Sequence, residues 1–204
     1  TEKAWEKVVG RVSKKIQKRT FWYHWKKAVA ILMLPLAFGV IIWMYNRECI
    51  SDTMANEPVY HEVYAAFGTR SALRLTDSSL VWLNSGSRLR YPDRFGAKER
   101  KVYLTGEAYF EIESDLNKPF IVNTPALSIE VTGTKFNILD YDTEPLAEIT
   151  LVEGGVIVNR QDKTDDPKLI SSLDVSQHLA YDKETGEKKL ATVDTYKYYS
   201  WKDG

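Results

Sequence analysis

One cysteine, Cys49, stands among 204 residues, so no disulfide can form within the chain and any folded unit must rest on its hydrophobic core. Cys49 could pair only with a second copy, and a spare thiol is the plainer reading. Histidine is scarce as well. His24, His61 and His178 lie far apart, and no His-x-x-x-His, cysteine pair or dense carboxylate loop offers a metal site. The Gly-x-Ser-x-Gly frame of a nucleophile elbow is absent around Ser85-Gly86-Ser87. Gly106 and Gly133 are isolated, so no loop cradles a phosphate, and no cofactor is expected. Glu107 and Glu111 form the best catalytic pair on offer. On a strand they share one face about 13 Å apart, beyond the roughly 5–9.5 Å that glycosidases use. Solvent-facing strand carboxylates explain them more simply, and the chain is not expected to be an enzyme acting on a substrate.

Net charge is missing too, but only as an average. Residues 1–27 carry nine Lys/Arg against Glu2 and Glu6, which leaves 19 bases against 26 acids in residues 46–204. Between them runs Ala28 to Tyr45, 18 residues without a charge. A helix of that length spans roughly 27 Å, close to the hydrocarbon core of a bilayer. Lys26 and Lys27 flank it on one side, Arg47 and Glu48 on the other. The positive-inside rule puts the N-terminus in the cytoplasm, and Trp22, Tyr23, Trp25, Trp43 and Tyr45 fit the two interfacial aromatic belts. A buried core helix and a cleaved signal peptide compete. The one-sided basic flank argues against the first, and the long basic segment without a small-x-small site argues against the second. The sequence therefore predicts an uncleaved single-pass anchor. The exported part is acidic, which argues against nucleic acid as a direct partner. The basic residues of 14–27 fit anionic head groups and topology control better.

Residues 3–19 read as an amphipathic helix, with Ala4, Val8, Val12 and Ile16 four apart and Trp5 and Val9 widening the stripe. One such helix is marginal alone, so Trp5, Val8 and Val12 are candidate partner-binding residues. From Val59 the apolar period becomes two. Val102, Leu104, Gly106, Ala108, Phe110 and Ile112 alternate with Tyr103, Thr105, Glu107, Tyr109 and Glu111. The same pattern marks Val81/Leu83, Phe120/Val122, Leu127/Ile129/Val131, Phe136/Ile138 and Ile149/Leu151. Turn signals such as Asn84-Ser85-Gly86-Ser87, Tyr91-Pro92-Asp93 and Glu153-Gly154-Gly155 separate them. The class is all-β: a twisted roll or solenoid-like domain, or alternatively a sandwich. The expected organisation is a cytoplasmic segment 1–27, a transmembrane helix 28–45, a linker and first strand 46–66, and the β domain 67–204.

The stretches VWLNSGSRLRYPDRF, RKVYLTGEAYFEI, KPFIVNTPALSIEVTGTKFNILDY and TLVEGGVIV, in this order, resemble the FecR family of transmembrane anti-sigma factors in its Bacteroidota form. One departure is Leu75-Thr76-Asp77-Ser78-Ser79, where the family has Leu-Pro-Asp-Gly-Ser; losing Pro and Gly should loosen that turn. The chain also looks like a fragment, short of most of the cytoplasmic anti-sigma domain and of the C-terminal receptor-signalling module.

The resemblance implies a relay. The cytoplasmic part would hold an extracytoplasmic-function (ECF) sigma factor. The periplasmic part would receive a signal from the N-terminal extension of a TonB-dependent outer-membrane transporter for glycans or iron complexes. Periplasmic and intramembrane proteases would then free the sigma factor. Two cleavage candidates follow, the first from the resemblance and the second from the effect of proline on a helix. Gly133-Thr134 matches a bond at which some members cleave themselves, by attack of the threonine hydroxyl on the glycine carbonyl; a glycine kink is the competing explanation. Pro35, with Gly39 four residues on, would unwind the membrane helix for a protease, although membrane helices also tolerate proline without consequence. The competing function is a membrane-anchored β domain that binds an envelope polymer or envelope proteins.

Overall fold

The computed structural model describes residues 35–36, 38–44, 58–161 and 168–203. The chain divides into two units, Thr1–Asn56 and Glu57–Gly204. In the first, residues 35–36 and 38–44 are helical and exposed, which places Pro35 and Gly39 in a helix. Among the described residues no helix is long and apolar enough to cross a membrane. The remainder of the predicted span, and the amphipathic stripe of Trp5, Val8 and Val12, lie outside the described residues.

The second unit is all-β, as the period-two pattern requires. Its strands are β1 (Tyr60–Tyr64), β2 (Ser71–Arg74), β3 (Leu80–Leu83), β4 (Arg88–Pro92), β5 (Arg100–Glu111), β6 (Phe120–Asn123) and β7 (Leu127–Val131). There follow β8 (Lys135–Asp140), β9 (Leu146–Glu153), β10 (Val156–Arg160), β11 (Lys168–Leu173), β12 (Gln177–Asp182) and β13 (Lys188–Thr192). All are linked into one curled, hydrogen-bonded sheet. Every pairing is antiparallel except that of β5 with β6, so no run of parallel coils forms and the solenoid-like alternative falls away.

The curl turns on β5, whose 12 residues serve two arms. Its first half pairs with β4 (Arg90↔Tyr103) and β6 (Val102↔Val122). Its second half pairs with β3 (Trp82↔Tyr109) and β8 (Phe110↔Phe136). The first arm continues through β7, β10 and β11, and the second through β9, β12 and β13. Both arms contribute to one core. Val102, Leu104, Ala108 and Phe110 of β5 meet Phe120, Ile129, Phe136, Ile149, Val158 and Leu179 there. Phe110 stacks on Phe136 at 5.1 Å and meets Phe120 at 6.5 Å, which closes one arm over the other.

Arg100 heads β5 as a buried cation, 3 % exposed. Its Nη1 donates to Asp77 Oδ2 (2.8 Å) and the Glu113 carbonyl (2.9 Å), and its Nε donates to the Lys118 carbonyl (3.0 Å). The guanidinium also lies over the Phe120 ring, 5.4 Å from its centre. One side chain thereby fastens the β2–β3 turn to the loop between β5 and β6.

Candidate functional site

Strand register aligns Trp82 (β3), Tyr109 (β5), Asn137 (β8), Thr150 (β9) and His178 (β12) in one row across the second arm. Side chains alternate along a strand, so this row faces away from the core. An outer sheet face is normally solvated and polar. Here Tyr109, Asn137, Thr150 and His178 are all buried, so something covers them.

The cover is the segment after β13. A helical turn, Tyr196–Tyr199, runs into a 3₁₀ turn, Ser200–Asp203. The Tyr199 ring lies 5.0 Å from Tyr109, and Tyr198 lies 4.4 Å from His178. Lys202 Nζ sits over both Trp82 (5.0 Å) and Tyr109 (5.1 Å), a cation–π contact shared by two rings. Burial pushes the Tyr109 hydroxyl well above its ordinary range. Burial also lowers the His178 pKa, which Glu148 opposes from 3.6 Å; Thr150 Oγ1 lies 2.8 Å from His178 Nδ1.

Glu107 stands one row away under the same cover. Asn84 Nδ2 donates to its Oε2 (2.6 Å) and Asn137 Nδ2 to its Oε1 (2.9 Å). Burial raises its pKa, against the hydrogen bonds from Asn137 and Asn84. The neighbouring Trp201 indole also favours the charged form, although its buried N–H makes no regular hydrogen bond. Next to it, Tyr141 donates to the Ser85 carbonyl (2.7 Å), and Ser87 Oγ accepts from the Glu107 N–H (2.8 Å).

The raised pKa has a sign. The folded state holds the Glu107 proton more tightly than the unfolded chain does, so this residue's contribution falls as pH rises from about 4.5 through the folded value. Glu107→Gln should therefore flatten that decline and stay within about 1 kcal/mol of the parent at pH 7. The new amide needs an acceptor, and Asn137 Oδ1 is buried without a partner, so a flip of that amide supplies one. Urea unfolding of both proteins between pH 4 and 8 measures the effect; an unchanged slope in Glu107→Gln contradicts it.

The residues singled out from sequence do not converge. Glu107 and Glu111 share the outer face, but Glu107 is a covered, hydrogen-bonded carboxylate rather than the solvent-facing one expected. Glu111 stands opposite Lys135, which pairs with Glu153 at 2.6 Å. Gly133-Thr134 lies between β7 and β8, with Thr134 buried and its hydroxyl donating to the Gly155 carbonyl (3.0 Å). A Cβ on Gly133 would come within 2.8 Å of the Ser114 backbone, so close approach by itself demands glycine here. His61 packs against Tyr91 in the first arm, apart from His178. Among the described residues no group of His, Cys, Asp or Glu is arranged to hold a metal.

Sequence reasoning missed the covered face. The signal was Tyr196-x-Tyr198-Tyr199-x-Trp201-Lys202, an aromatic and basic cluster just beyond the last strand.

The family described as FecR protein matches residues 61–157, from within β1 to the start of β10. Residues 61–157 carry a FecR domain. The matched FecR stretch includes β5, Glu107 and the Gly133-Thr134 turn, while the covering segment lies beyond it. Two crystal structures of a proposed anti-sigma factor from Parabacteroides distasonis, at 2.50 and 1.65 Å, are similar to this chain. The first aligns with a TM-score of 0.64 and 29 % identity over 70 % of the chain, and the second with 0.63 and 29 % over 69 %. The chain spans 64 % of the length of that protein's chain. No curated protein matches it.

Proposed function

We propose that this chain belongs to an anti-sigma factor that passes a signal across the inner membrane. The observation that carries the reading is the FecR match over 61–157, joined to structural likeness with a proposed anti-sigma factor at 29 % identity. Residues 28–45 anchor the chain, with the N-terminus in the cytoplasm and the β unit in the periplasm. The basic segment 1–27 contributes Trp5, Val8 and Val12 to the grip on an ECF sigma factor. The β unit takes its signal from the signalling domain of a TonB-dependent transporter that imports a nutrient such as a glycan or an iron complex. Proteolysis then releases the sigma factor, with Pro35 and Gly39 as the weak point in the membrane. The β unit acts as a receiver and not as a catalyst.

The test is a pull-down of the full-length protein from detergent-solubilised membranes, read by mass spectrometry. A sigma factor should co-purify in near-stoichiometric amount, and Val12→Asp should lower its recovery about tenfold, the effect of roughly 1.4 kcal/mol. Recovery of envelope proteins or polymer without a sigma factor would overturn the reading in favour of an envelope-binding anchor.

A further inference from the structure

The covering segment is attached unlike the rest of the β unit. The last backbone hydrogen bond that ties it to the strand region is Val193 N–H to the Ser176 carbonyl. Beyond Asp194 its backbone bonds are internal: Lys197 N–H to Asp194, Tyr198 N–H to Thr195 and Ser200 N–H to Tyr196. None of its residues is fully buried, and Tyr196 is 55 % exposed. Ring contacts and one ammonium hold it down. Segments attached this way, with few buried contacts and no ladder bonds, open locally before the fold does.

The floor beneath is specific. It offers two ring faces, Trp82 and Tyr109, tilted against each other at 5.7 Å. Tyr109 receives Tyr199, the His178 ring receives Tyr198, and the Trp82–Tyr109 pair receives a lysine ammonium. The carboxylate of Glu107 lies beside the Trp201 indole. The covering segment also leaves hydrogen-bonding capacity unused, because Asn137 Oδ1 and Trp201 Nε1 are both buried without partners. A different segment with the same rings and lysine, and a donor aimed at Asn137, would fit the floor better than the present occupant.

We propose that residues 196–203 are a releasable strap, and that the Trp82–Tyr109–Glu107–His178 face beneath it is a docking surface for an aromatic- and lysine-bearing peptide segment of a partner protein. The strap occupies that surface in cis and sets a threshold that the partner must overcome. This goes beyond the anti-sigma reading and does not depend on it, since every readout below is binding or exchange and none requires a sigma factor.

Two measurements on the full chain in detergent micelles test the idea. The first uses hydrogen exchange followed by mass spectrometry on the parent protein. Amides of 196–203 should exchange through local opening at least 100-fold faster than those of β5 and β8, at a rate insensitive to low urea. Exchange only through global unfolding would overturn the proposal.

The second titrates a fluorescein-labelled peptide covering residues 194–203 into the parent and into Tyr199→Ala/Trp201→Ala, which weakens the strap. Circular dichroism should show that the variant keeps its β signal. The peptide should bind the variant at least tenfold tighter than the parent, and a peptide with Glu in place of Lys202 should lose that gain. Equal binding to parent and variant, equal binding of the Glu peptide, or dimerisation of the variant without peptide binding would each overturn the proposal.

Discussion

Arg100→Met destabilises the β unit by about 3–5 kcal/mol, the cost of breaking a buried, hydrogen-bonded ion pair from one side. Methionine fills most of the volume, so cavity formation is a small part of the effect. What is lost is the fastening of three chain segments. Asp77 keeps a carboxylate that is only 14 % exposed and now lacks its cation. The carbonyls of Glu113 and Lys118 lose their donors. Arg100→Lys should recover less than half of the loss, because an ammonium lacks the planar fork that reaches Asp77 and both carbonyls at once. Asp77→Asn/Arg100→Met should be more stable than Arg100→Met by about 1–2 kcal/mol, since the stranded charge is gone while an amide oxygen still accepts from the Ser79 N–H. Urea unfolding midpoints at fixed slope measure all three. A loss under 1 kcal/mol for Arg100→Met would mean that the turn and loop hold themselves.

That turn shows how far local reading reaches. Taken locally, losing the family's Pro and Gly at Thr76 and Ser78 should loosen Leu75–Ser79. Ser78 does adopt φ 73°, a conformation that costs a non-glycine residue about 1–2 kcal/mol. Yet Asp77 ties the turn from within, accepting from the Ser79 N–H (3.1 Å) and hydroxyl (2.8 Å) while it holds Arg100. The compensating partner lies 23 residues away, where no turn rule looks.

Strands β3 and β5 to β9 were legible because their burial is set by alternation, which is a local property. Phe110, Phe120 and Phe136 could each be assigned to an inner face. That they stack on one another is a property of pairing, and a strand's own residues do not name its neighbours. Strands β10 to β13 were less legible. β13 is exposed along its whole length, and β11 buries only Leu173. The covered face failed for the same reason as the stacking. Glu107 alternates as an outward residue should, and it is the segment at 196–203, about ninety residues later, that turns the outside into an inside. The composition of that segment, three tyrosines, a tryptophan and two lysines in eight residues, marks it as unsuited to free solution. Its partner had to be seen.

Gly106→Ala costs roughly 2–5 kcal/mol, and the reason joins both arms of the fold. Gly106 is the residue at which β5 leaves β4 and β6 and takes up β3 and β8. Its φ of +109° lies where L-residues are strained, so even an unobstructed alanine would lose stability there. The site is obstructed as well. An added Cβ would lie 2.6 Å from Ser87 Oγ and 2.8 Å from Ser87 Cα. Ser87 cannot yield, because it is fully buried, accepts from the Glu107 N–H and lies 3.2 Å from the Tyr141 hydroxyl. Ser87→Ala/Gly106→Ala should not rescue the loss, since the clash with the Ser87 main chain and the backbone strain both survive and two hydrogen bonds disappear. Thermal and urea unfolding should therefore rank the double variant at or below Gly106→Ala. Recovery in the double variant would place the whole cost on the Ser87 side chain and none on the course of the backbone. The same change should reach the covered face, because the Ser87 hydroxyl that the new methyl group would displace is bonded to the Glu107 N–H, one residue away from the clash. Slower or weaker docking of residues 196–203 in Gly106→Ala, seen as faster amide exchange there than in the parent, would show that the point where β5 changes partners also sets the surface outside it.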